Sequence, residues 1–144
     1  PRSGTAAAAP AAPPSPHVFT ISPEDAARKN PVKFSEVSTG RGKKIYVTQC
    51  AMCHGNTGDG KGDLVEEMKI SPPDFTNPET LKKRTDGELF AIIGSGSEVM
   101  PAQGTRMTEN HKWNIVNFLR SLAGKAPEKA TGKEQEENII LVPQ

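Results

Sequence analysis

Apolar positions along the chain come in short groups at helical spacing, and no stretch sustains the alternation of a half-buried strand. The broadest stripe lies near the C-terminus, where Trp113, Ile115, Val116, Phe118, Leu119 and Leu122 predict a helix from Thr108 to Ala123, closed by Gly124. A second helix is predicted in "STGRGKKIYVTQC", with Ser38 or Thr39 as cap, Gly42, Ile45, Tyr46 and Gln49 at helical spacing, and Gly55 as its stop. "TDGE" at 85–88 has capping-box spacing ahead of Leu89, Phe90 and Ile93, with Gly94 ending that helix. Asn77 before Pro78 predicts a short helix over 78–83, and "LVEEMKI" another small one. "SPPDF" is irregular, because its two prolines remove backbone donors. The expected fold is all-α: several short helices joined by long loops.

Such pieces hold together poorly alone, since isolated helices shorter than ~12–15 residues are marginal in water. Composition sharpens the problem. Leu, Ile, Val and Phe make up 27 of 144 residues, and 23 of the 108 between positions 17 and 124, a thin supply for a self-sufficient core. A large bound group at the centre would supply the missing apolar surface. Net charge is +1, with basic and acidic side chains interleaved, which argues against a nucleic-acid partner. No run approaches the ~20 apolar residues of a membrane span.

Four parts are expected: an Ala/Pro-rich tether over 1–16, an extension over 17–37 that packs on the body, the body itself over 38–124, and a charged extension over 125–144 that contains the apolar run "NIILVP". If the protein is exported, its signal and any lipid anchor precede the first residue shown, which leaves a membrane tether through the N-terminus possible.

The two cysteines occur in "CAMCH", residues 50–54. A thioredoxin-like dithiol belongs at a βαβ unit, and no strands are predicted. A structural zinc site needs four ligands, usually two pairs, whereas His17 and His111 are isolated and distant in sequence. A disulfide over one helical turn closes too short a loop to stabilise a domain much. C-x-x-C-H is also the attachment signal of haem c: two thiols add across the porphyrin vinyl groups and the adjacent histidine lies beneath the iron. One covalent haem c is therefore expected, held by Cys50 and Cys53 and ligated by His54.

For the second axial position the candidates are Met52, Met68, Met100, Met107, His17, His111 and lysines. Met52 lies between the cysteines and cannot reach the opposite face, and Met68 reads as core filling. Met100 stands in the glycine-flanked "GSGSEVMPAQG", where Pro101 biases its backbone towards an extended form that can present a thioether. Met107, just before the Thr108 cap, reads as packing against the last helix and is the second choice. A thioether ligand favours ferrous iron, raises the reduction potential and leaves no open position, so electron transfer is the natural task.

These residues together resemble a class I monohaem cytochrome c of the bacterial type, such as the small cytochromes c attached to respiratory complexes including alternative complex III. The resemblance covers residues 38–124 and rests on "GKKIYVTQCAMCHG", "GDGKGD", "PPDF", "TDGELFAIIGSGSEVMPAQG" and "WNIVNFLRSL". It implies that Gly42 and Tyr46 pack against the last helix at Ile115 and Phe118. It also implies that His54 donates its other ring nitrogen to the carbonyl of Pro72 or Pro73, at a longer spacing than in mitochondrial forms. Trp113 reads as a core aromatic, with a hydrogen bond to a haem propionate as the alternative, and Lys82–Arg84 as a solvated helix face. The implied function is one-electron transfer, not enzymatic turnover, from a quinol:cytochrome c oxidoreductase to a terminal oxidase at the periplasmic face. The alternatives are a sensor or peroxidase with a labile methionine, or a fixed haem subunit of a larger complex.

Overall fold

A computed structural model describes residues 19–129. The Ala/Pro-rich segment, His17 and the "NIILVP" run lie outside the described residues. Among the described residues the architecture is helical: α1 (Pro23–Ala26), α2 (Glu36–Gln49), α3 (Ala51–His54), α4 (Val65–Met68), α5 (Pro78–Lys82), α6 (Asp86–Ser95), a 3₁₀ turn (Gly104–Arg106) and α7 (Glu109–Leu122). No helix among them is long and apolar enough to cross a membrane.

Helix α2 begins earlier than its apolar pattern suggests. Ser35 is the cap, its Oγ accepting from the Ser38 N–H at 3.2 Å, so Ser38 sits inside the first turn, and neither Ser38 nor Thr39 caps it. The reason is tertiary. Ser38 is buried and donates to Asn114 Oδ1 on α7 at 2.8 Å, while Asn117 Nδ2 donates to Ser38 Oγ at 2.8 Å. Asn30 extends the network, donating to Asn117 Oδ1 at 2.9 Å and to the Trp113 carbonyl at 3.3 Å. These buried polar groups satisfy one another, so the extension before α2 is tied to α7 by bonds costly to leave unmade.

The core lies where α2, α6 and α7 meet, around Tyr46, Leu89, Phe90, Ile93, Trp113, Ile115, Val116, Phe118 and Leu119. Gly42 sets the closeness of the α2–α7 crossing: a Cβ there would collide with the Asn114 carbonyl oxygen and lie 2.9 Å from Phe118 Cβ. Arg120 joins the other elements to α7. Its guanidinium pairs with Asp86 at 2.9 Å and donates to the carbonyls of Leu81 and Arg84, each at 2.7 Å, which binds the end of α5 and the start of α6. The segment 19–37 covers this side. Arg28 lies 4.5 Å over the Phe90 ring, and Thr85 Oγ1 donates to the Ala26 carbonyl at 2.7 Å. Glu128 returns to bridge Ser35, its N–H donating to the Phe34 carbonyl at 3.2 Å.

Helix α6 shows the capping box expected at Thr85 and Glu88, but it runs through Gly94 and ends at Gly96, which takes φ 60°. The bonds from the Thr85 N–H and from Arg84 hold the Glu88 carboxyl below a free glutamate's 4.5. A carboxylate depressed in the folded state contributes stability above its unfolded value and loses it as pH falls through the folded one. In acid titration of thermal stability, Glu88→Gln should therefore reduce the loss seen below about pH 4.5. Thr85→Ala should cost about 1 kcal/mol at neutral pH, read from chemical denaturation.

Candidate functional site

Helix α2 breaks at Cys50, whose backbone leaves the helical region (φ −123°, ψ −33°), and the chain restarts as the single turn α3. Gly55, at φ 85°, stops that turn directly after His54. Cys50, Cys53 and His54 are thus presented together on an isolated turn, and both thiols are free. A loop rich in glycine covers its carbonyl end. The N–H groups of Leu64, Gly62 and Gly60 bond the carbonyls of Met52, Cys53 and His54 at 3.0, 3.2 and 2.8 Å. Gly62 has to be glycine, because a Cβ would strike the Met52 backbone. Tyr46, 1 % exposed, donates to the Gly55 carbonyl at 2.7 Å and packs on Phe118 with ring centres 5.0 Å apart. Burial foremost, then the neighbouring Cys50 and Asp59, raise its ionisation well above the ordinary phenol, so Tyr46 remains a donor.

The electrostatics of the turn separate the cysteine chemistries. Burial, reinforced by Cys53, pushes the Cys50 thiol up to about 11, so at neutral pH it is protonated and unlike the low-pKa thiolate of a dithiol oxidoreductase. Among the described residues no three His, Cys, Asp or Glu side chains gather as a metal site. His54 is half-buried, and burial lowers its pKa, which keeps the imidazole neutral and its lone pair available.

The His54 ring stacks on Phe75, centres 4.9 Å apart and 22° from parallel. Its Nδ1 is buried without a hydrogen-bond partner. Leaving a buried nitrogen unsatisfied costs roughly 1–3 kcal/mol, and such exceptions call for a functional explanation. An imidazole short of a partner, beside two free thiols on the same turn, fits a haem c in which the missing partners belong to the bound group.

The hydrogen bond from His54 to Pro72 or Pro73 is not formed here. Both carbonyls face Gly60 instead, 2.5 and 3.1 Å from where a Cβ would stand. Trp113 lies in the core, 1 % exposed and stacked on Phe90 at 4.1 Å. Met107 is likewise buried, and Met68 is 42 % exposed, so it does not fill the core. Met100 is half-buried on the loop after α6, its N–H donating to Ser97 Oγ at 3.1 Å and its carbonyl accepting from the Ser97 N–H at 2.9 Å. Gly96 makes that turn possible, since a Cβ would strike the Met100 carbonyl and lie 2.7 Å from Ala102 N.

Phe75 lies in the "PPDF" stretch of the resemblance, but nothing in the sequence gives it a place beside His54. It follows two prolines in an aperiodic stretch, and the bond from its N–H to the Gly58 carbonyl, 2.7 Å, together with its burial in the core, holds it over His54.

Residues 38–119 match the family model described as cytochrome C oxidase, cbb3-type, subunit III. Over 84 residues the chain is 29% identical to the cbb3-type cytochrome c oxidase subunit FixPc of Rhizobium leguminosarum bv. viciae and 27% identical to FixP of Rhizobium etli. Each match covers 58% of this chain and 27% of the relative, so the chain spans a minor part of these curated proteins. In three dimensions it is similar to a chain of the Kuenenia stuttgartiensis reducing HAO-like protein complex, with TM-score 0.54 and 25% identity over 64% of this chain and 46% of that one.

Proposed function

Because the chain belongs to the cbb3-type subunit III family of cytochromes c, haem-bearing electron carriers of respiratory chains, we propose that it carries single electrons through one covalently bound haem c, with His54 and Met100 as axial ligands. The observation that carries this reading is the α3 turn: two free thiols beside an imidazole, one of whose nitrogens is buried and unpartnered. When bound, haem c supplies one-electron exchange between ferric and ferrous iron.

The chain's own residues do the rest. Cys50 and Cys53 anchor the group from one turn, so its position follows the α2–α7 crossing through Tyr46 and Gly42. Phe75 covers one face of the His54 ring and restrains its rotation. The Met100 loop offers a soft sulfur donor from a separate element, and ligands held by two elements of one core change position little between oxidation states. A protein built this way binds and positions, as the electron carriers of this family do.

The proposed donor is a quinol:cytochrome c oxidoreductase and the acceptor a terminal oxidase, with the domain on the periplasmic face. The relatives named as oxidase subunits favour a second reading, a haem domain fixed within such an oxidase and not a free shuttle. Redox titration of the purified holoprotein should give a single one-electron wave and a low-spin ferric spectrum. A high-spin ferric spectrum would sink the proposal in favour of a sensor or peroxidase. Native size separation of a membrane extract then distinguishes shuttle from fixed subunit.

A further inference from the structure

Lys112 is 7 % exposed, an unusual degree of cover for a lysine side chain. Its Nζ donates to the Gly104 carbonyl at 2.8 Å and lies 4.9 Å over the Phe90 ring. It is also 3.8 Å from where a Cβ on Gly94 would stand. Among the described residues no carboxylate forms a salt bridge with it. Its head is held by one carbonyl and one aromatic face, with no ion pair to account for its place. The position of its acceptor gives it another meaning. Gly104 lies four residues after Met100, and among the described residues one other backbone bond ties the segment between them to the core, from the Gln103 N–H to the Ile93 carbonyl at 3.1 Å. The near side of the segment is held at Gly96 and Ser97.

We infer that Lys112 is a positioning residue: by holding Gly104 against α6 and α7, it clamps the far end of the Met100 loop and limits how readily Met100 leaves the iron. This rests on the reading of Met100 as axial ligand. It leads to a specific combination of effects, because removing the ammonium should loosen the ligand more than a remote change of similar cost to the fold.

The test is imidazole binding to the ferric holoprotein, followed in the visible spectrum, alongside thermal unfolding. Lys112→Met should bind imidazole at least tenfold more tightly than the parent, a larger rise than its change in thermal stability alone produces. Lys112→Arg, which keeps a donor, should stay within threefold of the parent. Thr85→Ala, destabilising but remote from the loop, should leave imidazole affinity unchanged. If Lys112→Met does not fold, Lys112→Gln, whose head stops short of Gly104, carries the same expectation. Met100→Ala measured in parallel separates the two ideas. Strongly tightened imidazole binding in Met100→Ala with none in Lys112→Met overturns the role of Lys112 alone. No change in Met100→Ala overturns the ligand reading and the inference with it.

Discussion

Met100→Ala should abolish the weak far-red band that sulfur ligation gives ferric haem and lower the midpoint potential by on the order of 0.1 V or more, within the ~0.8 V over which axial ligands tune haem iron. The sulfur prefers the ferrous state, so its loss makes reduction harder, and the vacated position becomes open to small ligands. Loop geometry favours this methionine over the others. Met107 is buried at the foot of α7, Met68 and Met52 are exposed, and Met100 is half-buried on a turn closed by Ser97 and permitted by Gly96. An unchanged low-spin spectrum in the variant would transfer the role to another side chain.

Gly42→Ala is expected to have the largest effect on folding. The added methyl meets the Asn114 carbonyl and the Phe118 Cβ, and neither can yield without separating α2 from α7. Overpacking typically costs 1–3 kcal/mol, and this case should reach the upper end, about 3 kcal/mol, because one obstacle is backbone. That is a large fraction of a total stability of roughly 5–15 kcal/mol. Separation of the helices also displaces Tyr46 from the Gly55 carbonyl, so the α3 turn loses its tie to α2. Denaturant titration of the holoprotein should show a lower midpoint; a midpoint equal to the parent's would mean the crossing is looser than the structure has it.

Periodicity and caps made most of the helices legible. The α7 stripe, the Asn77–Pro78 start and the Thr85–Glu88 box all describe bonds within a few residues of one another, which local sequence encodes. Structure and local pattern differ where a distant contact decides. Ser35 caps α2 because Ser38 is engaged by Asn114 and Asn117, more than 70 residues away in sequence. Gly94 continues α6, and the chain turns at Gly96, where the close approach of the Met100 backbone demands glycine. The site divides in the same way. Cys50, Cys53 and His54 lie within five residues, so their pattern is legible in spacing, whereas Phe75 and Lys112 make contacts that no periodicity announces. Pro72 and Pro73 illustrate the limit from the other side: they lie near the loop that follows His54, but their carbonyls face Gly60.

Everything proposed for the site depends on a haem held covalently at Cys50 and Cys53. Intact-mass measurement of the denatured, acidified protein, expressed with a haem-attachment system, tests this most directly. The predicted result is the polypeptide mass plus one haem, lost when both cysteines are replaced by alanine; a bare polypeptide mass with two free thiols, from a coloured native sample, would contradict it.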